Sequence, residues 1–414
     1  MNSPPATSSQ ATNLRDRLLA DAQDPQSTPF EYIVIGSGAG GGTLAARLAE
    51  HGCRVLVLEA GADPAEGTGP TPVPPGGGSL PAEREVYAVP GYHGAATEDK
   101  DMCWSFSVRH YEDDELQKKD SKYMASHDPS SPQYKGARRP SGGEDAARPK
   151  KGGILYPRSS GIGGCTGHFA MIVIKPNDCD WERIAEITGD ESWRAARMQG
   201  YFGKIENCLY YQSYQGFLRK VLWVYGLLLR LVGIVKPRWQ LDPGGHGFKG
   251  WQTTNFIEPE LVLRIAWGDR TFLRLLFGVF AHLWSRKGQL RALLGSLVRL
   301  QVVQYFDPNF GTRRASQAGR TAFIPIATQG GARAGLRERL LAVEAGYPDR
   351  LVIQTDALAS RLIFRKDSPD SPVPRAIGAE VQLGSHLFGA SPRSPEAPTD
   401  PPRRAIEDCR ARGT

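Results

Sequence analysis

Two short apolar runs near the start of the chain predict buried strands on either side of a helix. The first, Tyr32–Ile35, is continuous and rich in β-branched residues, and the second spans Arg54–Leu58. Such runs are typical of strands that are buried on both faces of a parallel sheet. Between them Leu44 and Leu48 recur at helical spacing, and Gly52 ends that pattern. The sequence therefore predicts a strand–helix–strand unit of about thirty residues.

The same pattern divides the rest of the chain into segments of different character. Residues 1–29 are polar and predict a flexible leader, and long Pro- and Gly-rich loops interrupt the α/β pattern of residues 30–210. Helical apolar spacing dominates residues 211–320, and strand-like runs return at 321–388. Residues 389–414 contain five prolines and few large apolar side chains. We therefore expect one α/β domain built from two segments, a helical lobe between them and a disordered tail.

Charge is concentrated in the helical part of the chain. The 414 residues carry a net charge of +7, and Ser213 to Phe306 alone hold thirteen Lys and Arg against four Asp and Glu. This distribution does not indicate a nucleic-acid-binding protein, but it leaves two interpretations of residues 213–306 open. The segment either touches an anionic membrane as a peripheral cap or forms buried helices with arginines at their rims. Its most apolar window, Val221–Val235, is too short to span a bilayer.

The cysteines and the first residues of the chain carry little chemistry. Six cysteines occur without a CxxC pair or other metal-like spacing, which argues against a zinc site and a disulfide framework, so we expect no metal. The first residues lack the charged-then-apolar layout of a secretory signal. The expected location is the cytoplasm, with peripheral attachment to a membrane as the alternative.

A glycine-rich turn follows the first predicted strand. Gly36, Gly38 and Gly41 form the pattern GxGxxG, and Glu59 ends the second strand. In such a turn the glycines let backbone amides approach a diphosphate at a helix N-terminus, and the acid accepts hydrogen bonds from ribose hydroxyls. The negative charge of Glu59 would repel a 2′-phosphate, which disfavours NADP. The pattern alone leaves FAD, NAD and a purely structural turn open.

Four separated blocks carry a family resemblance. They are FEYIVIGSGAGGGTLAARLAEHGCRVLVLEAG at 30–61, YPRSSGIGGCTGHFAM at 156–171, DWERIA at 180–185 and GHGFKGW at 245–251. Together they resemble the glucose–methanol–choline (GMC) oxidoreductases, choline dehydrogenases included, and the similarity runs with interruptions from about residue 30 to 383. The resemblance implies a flavoprotein that binds FAD in preference to NAD and oxidises the CH–OH group of a small-molecule alcohol. The implied fold class is α/β, a Rossmann-like FAD-binding domain with a mostly helical substrate or cap lobe.

The resemblance also assigns the second glycine cluster to the cofactor. Arg158, Gly163 and Gly164 match family positions that line the flavin end of FAD, and Ala359 matches a position beside the adenine. For Ala359 a plain core strand over 351–364 is an equally good interpretation. In this view the first cluster holds the adenosine end and the second cluster the flavin end of one extended cofactor.

His168 matches the position at which choline oxidases attach the flavin covalently through a histidine ring nitrogen. The family usually has Asn after this histidine, whereas this chain has Phe169. Three roles of His168 stay open: a covalent link to FAD, a non-covalent position near the flavin and an ordinary buried histidine.

No residue of the chain matches the catalytic base of the family. That base is a histidine, paired with a second His or Asn, in a C-terminal region that we expect to lie beyond this chain, so the fold is expected to be C-terminally incomplete. The catalytic residues are therefore unknown. Two functions follow: a truncated FAD-dependent alcohol dehydrogenase or oxidase, or a non-catalytic FAD-binding fragment or interaction module.

Overall fold

A computed structural model of the chain describes residues 30–66, 86–99, 101–124, 153–211, 244–256, 259–285, 306–311, 322–366, 373–389, 391 and 403–407. The chain divides into two compact units. Unit 1 comprises Met1–Ala170 and Gly330–Thr414, and unit 2 comprises Met171–Gln329. The domain limits expected at 210 and 320 both lie inside unit 2, and the five-segment division expected from the sequence remains a proposal.

A three-stranded parallel sheet lies at the centre of unit 1. Strand β2 (Val55–Leu58) pairs on one side with β1 (Tyr32–Ile35) and on the other with β10 (Leu351–Gln354). All four residues of β2 are buried, as expected for the central strand of a sheet covered on both faces. Helix α1 (Ala39–Glu50) connects β1 to β2. The predicted strand–helix–strand unit and the α/β Rossmann-like fold class are thereby confirmed.

Close packing of α1 against helix α8 (Leu336–Gly346) depends on Gly42. A Cβ atom at this position would lie 2.8 Å from Leu336 Cδ2 and 3.0 Å from Leu340 Cδ1. Both leucines are buried on the facing side of α8. The glycine therefore lets the first helix of the sequence approach one that begins almost three hundred residues later.

An antiparallel sheet follows the parallel one in unit 1. Its central strand β12 (Arg375–Leu383) pairs with β11 (Ala357–Arg365) and with β13 (Arg403–Glu407). The single strand expected over 351–364 is wrong, because Asp356 takes a positive φ of 49° and divides it into β10 and β11. Strand β13 lies in the expected disordered tail. Main-chain pairing with the edge of β12 requires no large apolar side chains, which is why composition did not indicate this strand.

The remaining elements of unit 1 are short and surround the sheets. They are α2 (His93–Ala96), β3 (Phe106–Val108), α3 (Asp114–Lys119), β4 (Tyr123–Met124), β5 (Gly153–Tyr156), β9 (Ala332–Arg333) and 3₁₀ turns at Pro90–Tyr92 and Gly164–Gly167. Strand β5 pairs antiparallel with both β3 and β4. The second glycine cluster therefore follows directly after a sheet strand, as the first one does.

Unit 2 contains helices and a small parallel sheet. Its elements are α4 (Asp178–Thr188), α5 (Ala195–Ile205), β6 (Glu206–Cys208), β7 (Gln252–Thr254), α6 (Pro259–Gly268), α7 (Arg270–Ser285), β8 (Thr328–Gln329) and a 3₁₀ turn at Glu191–Trp193. Helix α5 ends at Ile205, because the chain then pairs with β7 as strand β6. The apolar window Val221–Val235 lies outside the described residues. Among the described helices, none is both long and apolar enough to cross a bilayer.

Candidate dinucleotide-binding site

The two glycine clusters meet in unit 1. A Cβ atom built on Gly164 would lie only 2.7 Å from Gly38 Cα, a distance that real Cβ atoms essentially never show. Gly163 and Gly164 both have positive φ values, 89° and 57°, which residues with side chains rarely adopt. Two backbone segments that are 126 residues apart in the chain are thus held in direct contact by residues without side chains. The expectation that the two clusters serve one ligand requires them to lie close together, and which part of the ligand each would hold stays a prediction.

A hydrogen-bonded relay joins the two clusters through Ser37. Glu59 Oε2 accepts bonds from the Ser37 backbone N–H at 2.9 Å and from the Ser37 hydroxyl at 2.5 Å. The Ser37 Oγ in turn accepts a bond from the Gly163 N–H at 3.1 Å. Glu59 Oε1 accepts a bond from the Gly61 N–H at 3.0 Å. The acid expected to meet a ribose is therefore buried and anchors both loops, and its Oε1 keeps a further lone pair for a ligand.

The GxGxxG turn places the N-terminus of α1 beside the contact between the two glycine clusters. Gly36 has a φ of 86°, and Gly41 allows the helix to approach the strand, since its Cβ would lie 2.2 Å from the Gly36 carbonyl oxygen. Gly38 is the N-cap of α1, and no side chain caps this helix. The N–H groups of the first turn and the positive end of the helix dipole are therefore suited to an anionic group such as a diphosphate.

His168 ends the 3₁₀ turn of the second cluster and is buried. The residue is 5% exposed, and neither ring nitrogen has a hydrogen-bond partner among the described residues. Burial lowers the pKa of His168 below its usual value, and the charges of Arg333 and Arg158 lower it further. The ring is therefore neutral near pH 7, with one lone pair and one N–H unused. Such orphaned buried atoms fit a site that a polar ligand completes.

Two other candidates show more ordinary surroundings. The Arg158 side chain is exposed, stacks on the Tyr156 ring at 4.1 Å and donates to the Tyr156 hydroxyl. Ala359 packs against the apolar core beside β2, and its position beside an adenine stays a prediction. The structure places neither side chain in the contact between the glycine clusters.

Two buried arginines beside the second cluster were missed from the sequence. Arg333 and Arg337 are each 1% exposed. Arg337 forms an ion pair with Asp63, and its backbone N–H group lies 3.1 Å from where a Cβ on Gly163 would be. Arginine is rarely buried in full, and only a family alignment could have marked these positions as unusual. Their guanidinium groups place positive charge next to the loop that carries His168.

Unit 2 contains a buried ionic network that the sequence also did not reveal. His246 Nδ1 lies 2.9 Å from a Glu206 oxygen, and its Nε2 lies 2.8 Å from an Asp307 oxygen. Burial alone would lower the pKa of His246, but the hydrogen bonds to these partners raise it to about 11. The Tyr210 hydroxyl and Thr254 hydroxyl donate to the two carboxylates. His246 is therefore a charged imidazolium that holds three distant chain segments together.

The same network contains side chains of the types that bind transition metals in other proteins. Ligand atoms of Glu206, Cys208 and His246 lie within 4.8 Å of one another, and all three residues are buried. Both ring nitrogens of His246 already form hydrogen bonds to carboxylates, so the imidazolium state leaves no lone pair for a cation. The described contacts are those of an ion-pair network in which protons occupy the positions a metal would need.

The fold and the glycine loops define a Rossmann-like dinucleotide-binding unit. A family model described as "NAD(P)-binding Rossmann-like domain" matches residues 34–95. The sequence is 28% identical over 239 residues to dehydrogenase eriK of Hericium erinaceus, a match that covers 58% of this chain and 28% of that protein. It is also 28% identical over 173 residues to pyranose dehydrogenase 3 of Leucoagaricus meleagris, covering 41% and 20%. These matches confirm the resemblance to the GMC oxidoreductases.

Solved structures of two oxidases are also similar to this chain. Pyridoxine 4-oxidase from Mesorbium loti has a TM-score of 0.45 at 16% identity, covering 86% of this chain and 46% of that one. Formate oxidase has a TM-score of 0.47 at 13% identity, covering 91% and 44%. The chain spans less than half the length of these structures, and its matches span less than a third of the curated relatives.

Proposed function

We propose that unit 1 binds FAD at the contact between the two glycine clusters and that the protein serves in the FAD-dependent oxidation of an alcohol CH–OH group. The observation that carries the proposal is the 2.7 Å approach of a Gly164 Cβ to Gly38 Cα, because a side chain on Gly164 would push the second loop away from the α1 N-terminus. The sequence resemblance favours FAD over NAD, and the relatives named above are dehydrogenases.

The residues of this chain would divide the binding between them. The uncapped first turn of α1 would meet the diphosphate. The N–H groups of Gly163 and Gly164 donate to Ser37 Oγ and to the Gly161 carbonyl, so these two glycines would hold the second loop beside that turn. Glu59 would accept hydrogen bonds from the ribose while it holds Ser37 in place. His168, neutral and without a partner among the described residues, would face the ring system, and the covalent and non-covalent alternatives both remain open. When bound, FAD supplies the acceptor for the hydride that leaves the alcohol carbon.

We assign no residue of this chain as the catalytic base. His246 is enclosed by Glu206 and Asp307 and carries a proton, so it cannot take one from an alcohol. His168 belongs to the proposed cofactor site. The second candidate function, a non-catalytic FAD-binding module, follows from this lack of an assigned base.

An assay of the purified chain tests the proposal and separates the two functions. The protein is mixed with FAD, a panel of primary alcohols and a dye acceptor, and bound flavin and dye reduction are both measured. We expect one FAD per chain with little or no dye reduction. Rapid dye reduction would show that a base lies within these 414 residues, and a lack of bound FAD would overturn the proposed function.

Contact with an anionic membrane is a separate proposal for unit 2. Trp267 of α6 is 96% exposed, and Leu275 and Phe277 of α7 are more than 60% exposed. Helix α7 contains arginines and no acidic residue, a composition that favours the surface of anionic lipids. We expect the chain to sediment with phosphatidylserine vesicles at low salt and to be released at 0.5 M salt, roughly where the Debye length falls below 5 Å. Failure to sediment at low salt would contradict this proposal.

A further inference from the structure

Arg333 brackets the backbone on both sides of His168. Its Nη1 donates to the carbonyl oxygens of Thr166 at 3.1 Å and Phe169 at 3.0 Å. Its Nε donates to the carbonyl oxygen of Tyr87 at 2.8 Å. The guanidinium thus connects the end of the second glycine loop to Tyr87, in another part of unit 1. Gly167 and His168 lie between the two bonded loop carbonyls.

The third nitrogen of this guanidinium is unused. Arg333 Nη2 is buried and has no hydrogen-bond partner among the described residues. Arg337 offers a contrast, since its guanidinium is neutralised by Asp63, whereas Arg333 forms no ion pair with any described carboxylate. A buried cation with an unsatisfied N–H group is unfavourable unless a ligand supplies an acceptor.

We infer that Arg333 is the positioning residue of the site, holding His168 in place through the loop backbone and reserving Nη2 for a negatively polarised oxygen of the bound ligand. This inference rests on the proposed function, because FAD is the ligand whose oxygen would complete the guanidinium. In this arrangement one bound molecule would supply hydrogen-bond partners both to the buried Arg333 Nη2 and to the buried neutral ring of His168.

The electrostatic surroundings of His168 support the pairing. Burial is the main cause of its low pKa, and among the neighbouring charges Arg333 contributes more than Arg158. The ring of Phe169 lies 5.7 Å from the Arg333 guanidinium carbon, and the ring of Tyr87 lies 5.4 Å from it. These two rings flank the guanidinium and restrict where it can move. Arg333 is therefore fixed by three hydrogen bonds and two aromatic contacts, and Nη2 is the guanidinium nitrogen that is left to bind a ligand.

A purely structural role would have a different consequence. If Arg333 only closed the loop, its replacement would lower stability without changing the affinity of the folded protein for FAD. The two roles are therefore separated by measuring the folded fraction and FAD affinity in the same variants, and the His168 titration checks that the guanidinium charge lies beside the ring.

The experiment compares Arg333→Met and Arg333→Lys with Arg339→Gln as the control. Arg339 lies in the same unit and pairs with Glu50 on α1, away from the loop carbonyls. FAD affinity is measured by quenching of flavin fluorescence on folded protein, and the His168 ring is followed by NMR in FAD-free protein, with His168→Gln to assign its signal.

We expect Arg333→Met to raise the FAD dissociation constant about 10- to 100-fold, the range for loss of a charged hydrogen bond. The same variant should raise the pKa of His168, since a positive charge is removed beside it. Arg333→Lys should keep the low pKa of His168 but weaken FAD binding at least about tenfold, because an ammonium cannot reproduce the fork of the guanidinium. Arg339→Gln should change neither quantity.

Each outcome decides the inference. If wild-type protein binds FAD and both Arg333 variants bind it equally well, or if the His168 titration is unchanged in Arg333→Met, the inference is overturned. If Arg333→Met does not fold, Arg333→Lys decides alone through FAD affinity measured on its folded fraction. If wild-type protein binds no FAD, the proposed function fails, while the NMR signal of the His168 ring in Arg333→Lys still tests the positioning role. This variant keeps the charge, so a shifted or broadened signal supports positioning and an unchanged signal overturns it.

Discussion

Replacing Gly164 with alanine is expected to raise the dissociation constant for FAD about 100-fold, which corresponds to about 2.7 kcal/mol of binding free energy. The added Cβ would lie 2.7 Å from Gly38 Cα, so one of the two loops has to move. The backbone of Gly164 also has a φ of 57°, a conformation that is strained for a residue with a side chain. Both effects displace the second loop from the first turn of α1, whose N–H groups are proposed to meet the diphosphate. Flavin fluorescence quenching measures the change.

Gly200→Ala is the matched control for Gly164→Ala. Gly200 lies inside helix α5 of unit 2, and a Cβ atom there would meet nothing within 4 Å. Alanine is also favoured over glycine inside a helix, so this variant should bind FAD like the wild type and be slightly more stable. Equal FAD affinity of Gly164→Ala and Gly200→Ala would contradict the assignment of the contact between the clusters as the binding site.

Replacing His246 with glutamine is expected to lower the free energy of unfolding by about 3–5 kcal/mol, the usual range when one partner of a buried ionic network is removed. Glu206 and Asp307 would then be buried without the cation that separates them, and only Lys175 nearby would partly offset their charge. Urea denaturation followed by circular dichroism measures the loss. His282→Gln, on the exposed surface of α7, is the control and should stay within about 0.5 kcal/mol of the wild type.

The pH dependence of stability provides a second measurement of the same network. The pKa of His246 is raised to about 11 in the folded state, compared with about 6.5 in the unfolded chain. The folded state therefore binds the proton more tightly, so the contribution of this group is complete below about pH 6.5 and declines as the pH rises towards 11. Wild-type stability should fall between pH 7 and 10, and His246→Gln should show a smaller decline. An equal decline in both proteins would contradict the assignment of a charged His246.

Local sequence patterns predicted the part of the fold that depends on local chemistry. The β1–α1–β2 unit follows from two apolar runs and a glycine turn within about thirty residues, because buried strands and helix starts are determined largely by neighbours in sequence. Strand β6 depends instead on a partner that is distant in sequence. Glu206 and Cys208 pair with residues near 252, and no local pattern indicates a strand partner more than forty residues away.

The site was only partly predictable for the same physical reason. The residues of GxGxxG were identified because each has a local backbone requirement, and the resemblance pointed to Gly163, Gly164 and His168. Ser37 occupies an unconstrained position of the motif, and its role appears only when Glu59 and Gly163 are placed beside it. Arg333 is a surface-type residue by composition, and its burial depends on three carbonyl groups from two distant segments.

The contact between the clusters could not be predicted from the sequence. The assignment of the two clusters to the adenosine and flavin ends of one cofactor stays a prediction, whereas the contact of Gly38 with Gly164 appears only in the folded chain. Backbone contact of this kind points to a shared ligand group at the middle of the molecule, and the diphosphate is the anionic group that an uncapped helix N-terminus favours.

The most direct test of the central claim compares FAD with riboflavin, which has the same ring system and no phosphate. If the two glycine clusters hold a diphosphate, the chain should bind FAD at least about 100-fold more tightly than riboflavin, since the diphosphate contacts would supply 2.7 kcal/mol or more. ADP should compete with FAD for the same site. Equal affinity for FAD and riboflavin, with no competition by ADP, would contradict the account.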